Sequence, residues 1–214
     1  MMHSCRSTRA LAVLTVATLT AITGCSGDGS SAVRSTSTTT VATRTRVKAT
    51  RLFVQVATAG QPVEFPPADE AAVLHAVERY ITDATIAPLE GRRTDIDRQL
   101  APAALLTITD ADRTALTDAG VPRAKGAIKV SLPRVNLRAL AERDGSIDLI
   151  GSTLLVDVTA TTATGPLKIH REGQLMFARD GADWKILGFT LTVSRDGAGV
   201  GDLASSSSTS EVAP

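Results

Sequence analysis

Aromatic side chains are scarce in this sequence, at 3% of 214 residues with one Trp and one Tyr. Single-stranded nucleic acid is held by stacked rings over a basic groove, and the basic excess is missing too: 23 basic residues stand against 22 acidic ones. No nucleic-acid partner is expected. Histidine is equally thin, at three residues, and no two have the H-x-x-x-H spacing that puts both imidazoles on one helix face. There is no G-x-S-x-G elbow and no phosphate-binding loop. Gly197-Ala198-Gly199-Val200-Gly201 has the glycine spacing of a dinucleotide turn, but no helical pattern follows to present amides to a pyrophosphate. No catalytic residue, metal or cofactor is therefore assigned. The two cysteines, Cys5 and Cys25, are too few for a disulfide framework. No apolar run reaches the roughly 20 residues needed to cross a bilayer.

The amino terminus carries the first positive signal. Arg6 and Arg9 precede an uncharged, largely apolar run at residues 10–22, the build of a signal peptide over residues 1–24. Ile22-Thr23-Gly24-Cys25 closes it and resembles the lipobox of bacterial lipoproteins. That resemblance implies cleavage between Gly24 and Cys25, a diacylglyceryl thioether on Cys25, and a place on the extracytoplasmic face of the cell membrane. Cys5 leaves with the signal, so no internal disulfide can form in the remainder. One acyl chain binds a membrane marginally, whereas two, at about 0.8 kcal/mol per buried CH₂, anchor it stably. The signal takes two basic residues and no acidic one, which leaves the remainder close to neutral.

Residues 25–67 read as a lipidated cysteine followed by a flexible tether. The run Ser35-Thr36-Ser37-Thr38-Thr39-Thr40 has no apolar period from which a core could be built. Arg44, Arg46, Lys48 and Arg51 form a basic cluster able to touch anionic lipid, although a solvated linker is the simpler reading. Residues 52–56 alternate weakly and could add a short strand, but Pro62, Pro66 and Pro67 then break the chain, and they are left unassigned.

A helical period then starts. Asp69 is placed as the cap of a helix over residues 69–84, with Val73, Val77, Tyr80, Ile81 and Ala84 on one face. A second helix is expected from Thr94, burying Ile96 and Leu100, with a continuation at residues 102–106 led by Pro102. A third spans residues 110–119 and ends at Gly120. Beyond Gly126 the period drops to two, and four strands are readable. The first opens with Ile128, Val130 and Leu132 and is weakened by Pro133. Asp144-Gly145 turns into the second, at residues 147–161, where the apolar parity changes and a bulge near Gly151 is expected. Gly165-Pro166 leads to the third, with Leu167, Ile169, Leu175 and Phe177 inward, and Asp180-Gly181 to the last, at residues 184–195, with a parity change at Gly188. The Gly- and Ser-rich stretch 197–214 is expected to be a disordered tail.

The domain at residues 68–196 is thus an α+β body, amino-terminal helices packed on a curved four-stranded antiparallel sheet. The order of elements and the closing segment, residues 173–186 with the turn Asp180-Gly181 and Trp184, resemble the nuclear transport factor 2-like superfamily, in particular its exported, membrane-tethered members. The resemblance implies a conical cavity between helix and sheet. Tyr80, Arg171, Phe177 and Phe189 are the residues placed to line it, Arg171 because it shares the inward parity of Ile169 and Phe177. Partners expected on this reading are the membrane through the anchor, and a small apolar ligand in the cone or an envelope protein on the sheet. The rival is an isomerase- or hydratase-like enzyme in which Tyr80 works with Asp95 or Asp97, although a core tyrosine and, for Asp97, a helix-start carboxylate are the preferred readings. His170, between Lys168 and Glu172, has outward parity, and His75 lies on the polar side of the first helix.

Overall fold

Helix α1 (Pro67–Ile81) begins with proline at the first helical position, where an absent N–H costs nothing. Pro66 occupies the cap, so the expected cap at Asp69 is corrected: Asp69 and Glu70 sit in the first turn, where carboxylates favour the positive helix end. Val73, Val77, Tyr80 and Ile81 are buried, as the spacing predicts, and Ala76 is buried with them. The computed structural model to which α1 belongs describes residues 48–56 by their backbone, and residues 64–131, 133–142, 144–203 and 205–210. The signal segment with Gly24 and Cys25, and the tether up to residue 47, lie outside the described residues.

The first helix does not stop at Ala84. A π-helical turn (Thr82–Ile86) carries it into α2 (Ala87–Leu89). Pro88 has no N–H to give the Ala84 carbonyl four residues earlier, and that carbonyl instead accepts the Asp118 amide at 2.7 Å. A break in the helix ladder thereby docks the segment that carries Asp118. The second predicted helix is only a 3₁₀ turn (Ile96–Gln99) with Asp95 at its cap position and no side-chain cap, so Thr94 does not start a helix. Ile96 and Leu100 are nonetheless buried. Helix α3 (Pro102–Leu105) has its proline in the first turn. Helix α4 (Asp110–Leu116) is held by a capping box, Thr109 Oγ1 accepting the Asp112 amide while Asp112 accepts the Thr109 amide. It ends at Leu116 rather than at residue 119.

Seven strands follow or flank the helices: β1 (Lys48–Val56), β2 (Lys129–Val130), β3 (Arg134–Ala141), β4 (Ile147–Thr161), β5 (Pro166–Asp180), β6 (Asp183–Gly197) and β7 (Ser205–Ser210). They make one curved, mostly antiparallel sheet that is not a closed barrel, in the order β1-β3-β4-β5-β6-β7 with β2 paired to β4. Three expectations are corrected here. The first predicted strand is two strands, because Pro133 cannot donate to the ladder and separates β2 from β3. The end of the supposed tether is β1, parallel to β3, its Leu52-Phe53-Val54-Gln55-Val56 having the strand preference that the Ser/Thr run lacks. The supposed tail contains β7, antiparallel to β6, so the sheet is wider than the predicted four strands.

The bend in β4 lies three residues before Gly151, where it was expected. The register slips between Leu140 and Ala141 opposite Leu149 and Ile147, so the extra residue is Asp148, and Leu149 faces outward while Ile147 and Ile150 are buried. In β6 the slip falls between Ile186 and Gly188, where the parity change was read. The inward side chains form two apolar clusters. One joins α1 to Leu175, Phe177, Trp184, Phe189 and Leu191; the other joins Ile86 and Leu89 to Val158, Leu167, Ile169 and Val193.

Candidate functional site

The inward residues of β5 run Leu167 and Ile169 in one cluster, then Arg171, then Leu175 and Phe177 in the other. A cation thus stands at the seam of two apolar bodies, with no exposed surface. Such a charge persists only if it is paired and most of its donors are used; here both Nη groups are engaged, while Nε has no partner among the described residues. Arg171 Nη2 donates to Asp118 Oδ2 at 2.9 Å, and Nη1 donates to Tyr80 Oη at 2.7 Å and to the carbonyls of Ala115 and Leu116 at 3.2 Å each. Tyr80 Oη in turn donates to the Leu116 carbonyl at 3.2 Å.

Asp118 is wholly buried and serves a second arginine as well. Arg195 Nε donates to its Oδ1 at 2.6 Å, and Thr85 Oγ1 donates to its Oδ2 at 2.6 Å. The remaining Arg195 donors reach the carbonyls of Thr117 and Leu203 and the Ser206 hydroxyl. Two guanidiniums therefore face one carboxylate, and backbone carbonyls take up the excess positive charge. Those of Ala115, Leu116 and Thr117 are the orphan acceptors at the carboxyl end of α4, where the helix dipole also favours a cation. Burial pushes the Asp118 carboxyl upward, but Arg171 and then Arg195 outweigh it and hold it below the usual carboxylate range. Burial is the main cause that raises the Tyr80 hydroxyl.

The four residues expected to line a cone are thus all inward and all packed: Tyr80 and Arg171 in this network, Phe177 and Phe189 in the apolar cluster beside it. Arg171 has the inward parity expected of it but is held in a wholly buried network instead of lining an open cavity. The acids considered for Tyr80 are elsewhere. Asp97 receives Arg113 at 3.0 Å and Asp95 pairs with Arg98 at 2.8 Å, both at the surface. The carboxylate near Tyr80 is Asp118, which the sequence reading missed, together with Thr85 and Arg195. Arg195 shares the odd parity of Leu191 and Val193 and was legible on that ground. Asp118, in a loop after a short helix, carries no periodic signal.

His170 lies half-buried on the outer face, with Nδ1 2.8 Å from Asp157 Oδ1, and His75 is exposed beside Glu78. Among the described residues no cluster of His, Cys, Asp and Glu could hold a metal ion. The outer face of the sheet carries a groove of about 480 Å³, lined by Asn136, Arg138, Gly151, Thr153 and Gln174 from three adjacent strands. Gly151 deepens it by lacking a side chain. Comparison with known protein families, with curated proteins and with solved structures finds no match for this chain.

Proposed function

We propose that this chain is a lipoprotein of the bacterial cell envelope, cut before Cys25, acylated on that sulfur and held at the extracytoplasmic face of the cell membrane. Its α+β body, of the nuclear transport factor 2-like kind, serves as a non-catalytic binding module. Of the two partners considered, an apolar molecule in the cone and an envelope protein on the sheet, the second is preferred. The observation that carries this choice is the fate of Tyr80, which is wholly buried with its hydroxyl committed to Arg171 and to the Leu116 carbonyl. A tyrosine so engaged has no proton to lend a substrate, and the side chains that would line a ligand cavity fill it instead. The outer groove at Gly151 is the surface we assign to that partner.

Two experiments test the two halves. Intact-mass analysis of the protein from its native membrane should find a diacylated amino-terminal Cys25, and Cys25→Ala should move the chain to the soluble fraction; an unmodified terminus sinks the anchor. A photo-crosslinking residue at Gln174 should capture a discrete envelope protein in living cells, while one at exposed Ala71 should not. Equal labelling at both positions, or none at Gln174, overturns the docking face.

A further inference from the structure

A second cleft, of about 470 Å³, opens where the loop after α2 meets the loop after α4, and three arginines line it: Arg92, Arg93 and Arg123. One carboxylate answers them. Glu90 Oε2 lies 2.6 Å from Arg92 Nη2, whereas Arg93 and Arg123 make no ion pair or hydrogen bond among the described residues. Thr94 lines the same cleft, and its hydroxyl oxygen is buried without a partner among the described residues. A buried hydroxyl is seldom left unsatisfied, so an orphan on a residue that lines one cleft with two unpaired guanidiniums points to an oxygen acceptor that the protein does not itself supply.

The walls are shaped to suit. Gly91, at φ +73°, lies directly beneath the Arg123 guanidinium, since a Cβ there would fall 2.4 Å from Arg123 Nε. Gly120, at φ +95°, lines it as well. Guanidinium forks match tetrahedral oxyanions through paired N–H donors, and two of them with a hydroxyl donor suit a doubly charged group. We propose that this cleft is a phosphate-binding site, with Arg93 and Arg123 holding the charge and Thr94 donating to a third oxygen. The group can be a soluble phosphate or the headgroup of an anionic phospholipid. The site does not depend on the anchor at Cys25.

The test is a titration of inorganic phosphate into the full chain carrying Cys25→Ala, so that no acyl chain competes, followed by NMR at the amides of Gly91, Thr94 and Gly120. Saturable shifts are expected at roughly millimolar phosphate, with acetate weaker. Arg93→Gln with Arg123→Gln should raise Kd about tenfold or more, the loss expected for charge-assisted hydrogen bonds. Thr94→Val should raise it several-fold, and Gly91→Ala should do the same by displacing Arg123. Both arginines are exposed, and an unchanged Tm in their double variant shows that its fold is kept. Vesicles of phosphatidylglycerol, against phosphatidylcholine, separate the two sources: displacement of phosphate identifies a headgroup site, and no displacement a soluble ligand. Shifts that do not saturate below about 10 mM, that persist in the double variant, or that acetate reproduces at equal concentration overturn the proposal.

Discussion

Arg195 Nε lies 2.6 Å from Asp118 Oδ1, and both side chains are wholly buried. The pair joins the far end of β6 to the loop after α4, with Arg171 pulling on the other carboxylate oxygen. Removing the shared partner leaves two guanidiniums uncompensated. Asp118→Asn should therefore destabilise the fold by about 3–5 kcal/mol, read from urea unfolding followed by the fluorescence of the single, buried Trp184. A loss below about 1 kcal/mol would mean that the backbone carbonyls alone suffice.

The same carboxylate gives an acid dependence with a definite sign. Its folded pKa is depressed, so its contribution is complete above the unfolded value, about 4, and is lost as pH falls through that value toward the folded one. Stability should drop below about pH 4 in the native chain, and the drop should be shallower in Asp118→Asn. Parallel pH profiles for the two proteins would remove Asp118 as the cause.

Tyr80→Phe tests whether the tyrosine is a structural post. The hydroxyl both accepts from Arg171 and donates to the Leu116 carbonyl, so its loss should cost about 1–3 kcal/mol while circular dichroism stays native. The crosslink at Gln174 should survive, because nothing in the outer groove touches Tyr80.

How much of this was legible follows from what each residue answers to. Alternation and helical spacing report which side of an element is apolar, so the strands β4 to β6, the parity change at Gly188 and the inward position of Arg171 could be read directly. Pairing with a distant strand leaves no such trace. Ser205–Ser210 is a poor strand by composition and forms one beside β6, with Arg195 holding Leu203 and Ser206. In Lys48–Val56 the alternation at residues 52–56 was visible, but its parallel pairing with β3 was not, for the same reason. The network at Asp118 escaped because a buried acid in a loop differs from an exposed one only in its surroundings.

Two glycines in the sheet separate backbone demand from open space. At Gly173, φ is +144° and a Cβ would fall 2.0 Å from the Thr190 carbonyl oxygen, so Gly173→Ala should cost at least about 3 kcal/mol or prevent folding. At Gly151 the nearest atom to an added Cβ is the Arg138 carbonyl oxygen at 3.8 Å. Gly151→Ala should leave Tm unchanged or raised yet reduce crosslinking at Gln174, since the methyl group occupies the groove. Equal tolerance at both positions would contradict the strand geometry described for β5.

The capping box of α4 offers a smaller effect. Thr109→Ala removes the acceptor for the Asp112 amide and should cost about 1 kcal/mol in the same urea assay. A neutral result would show that the carboxyl-end fastening of α4 suffices by itself.

That fastening also dictates an order of events. The carbonyls of Leu116 and Thr117 wait for donors that arrive 55 and 78 residues later, on the last two long strands. A polypeptide delivered amino end first holds its helices as an unclosed half until residue 195 has appeared, because such distant closures must precede any reward. Shortening the chain ahead of β6 should yield protease-labile material rather than a smaller folded protein, which makes the carboxyl-terminal third the latch on everything made before it.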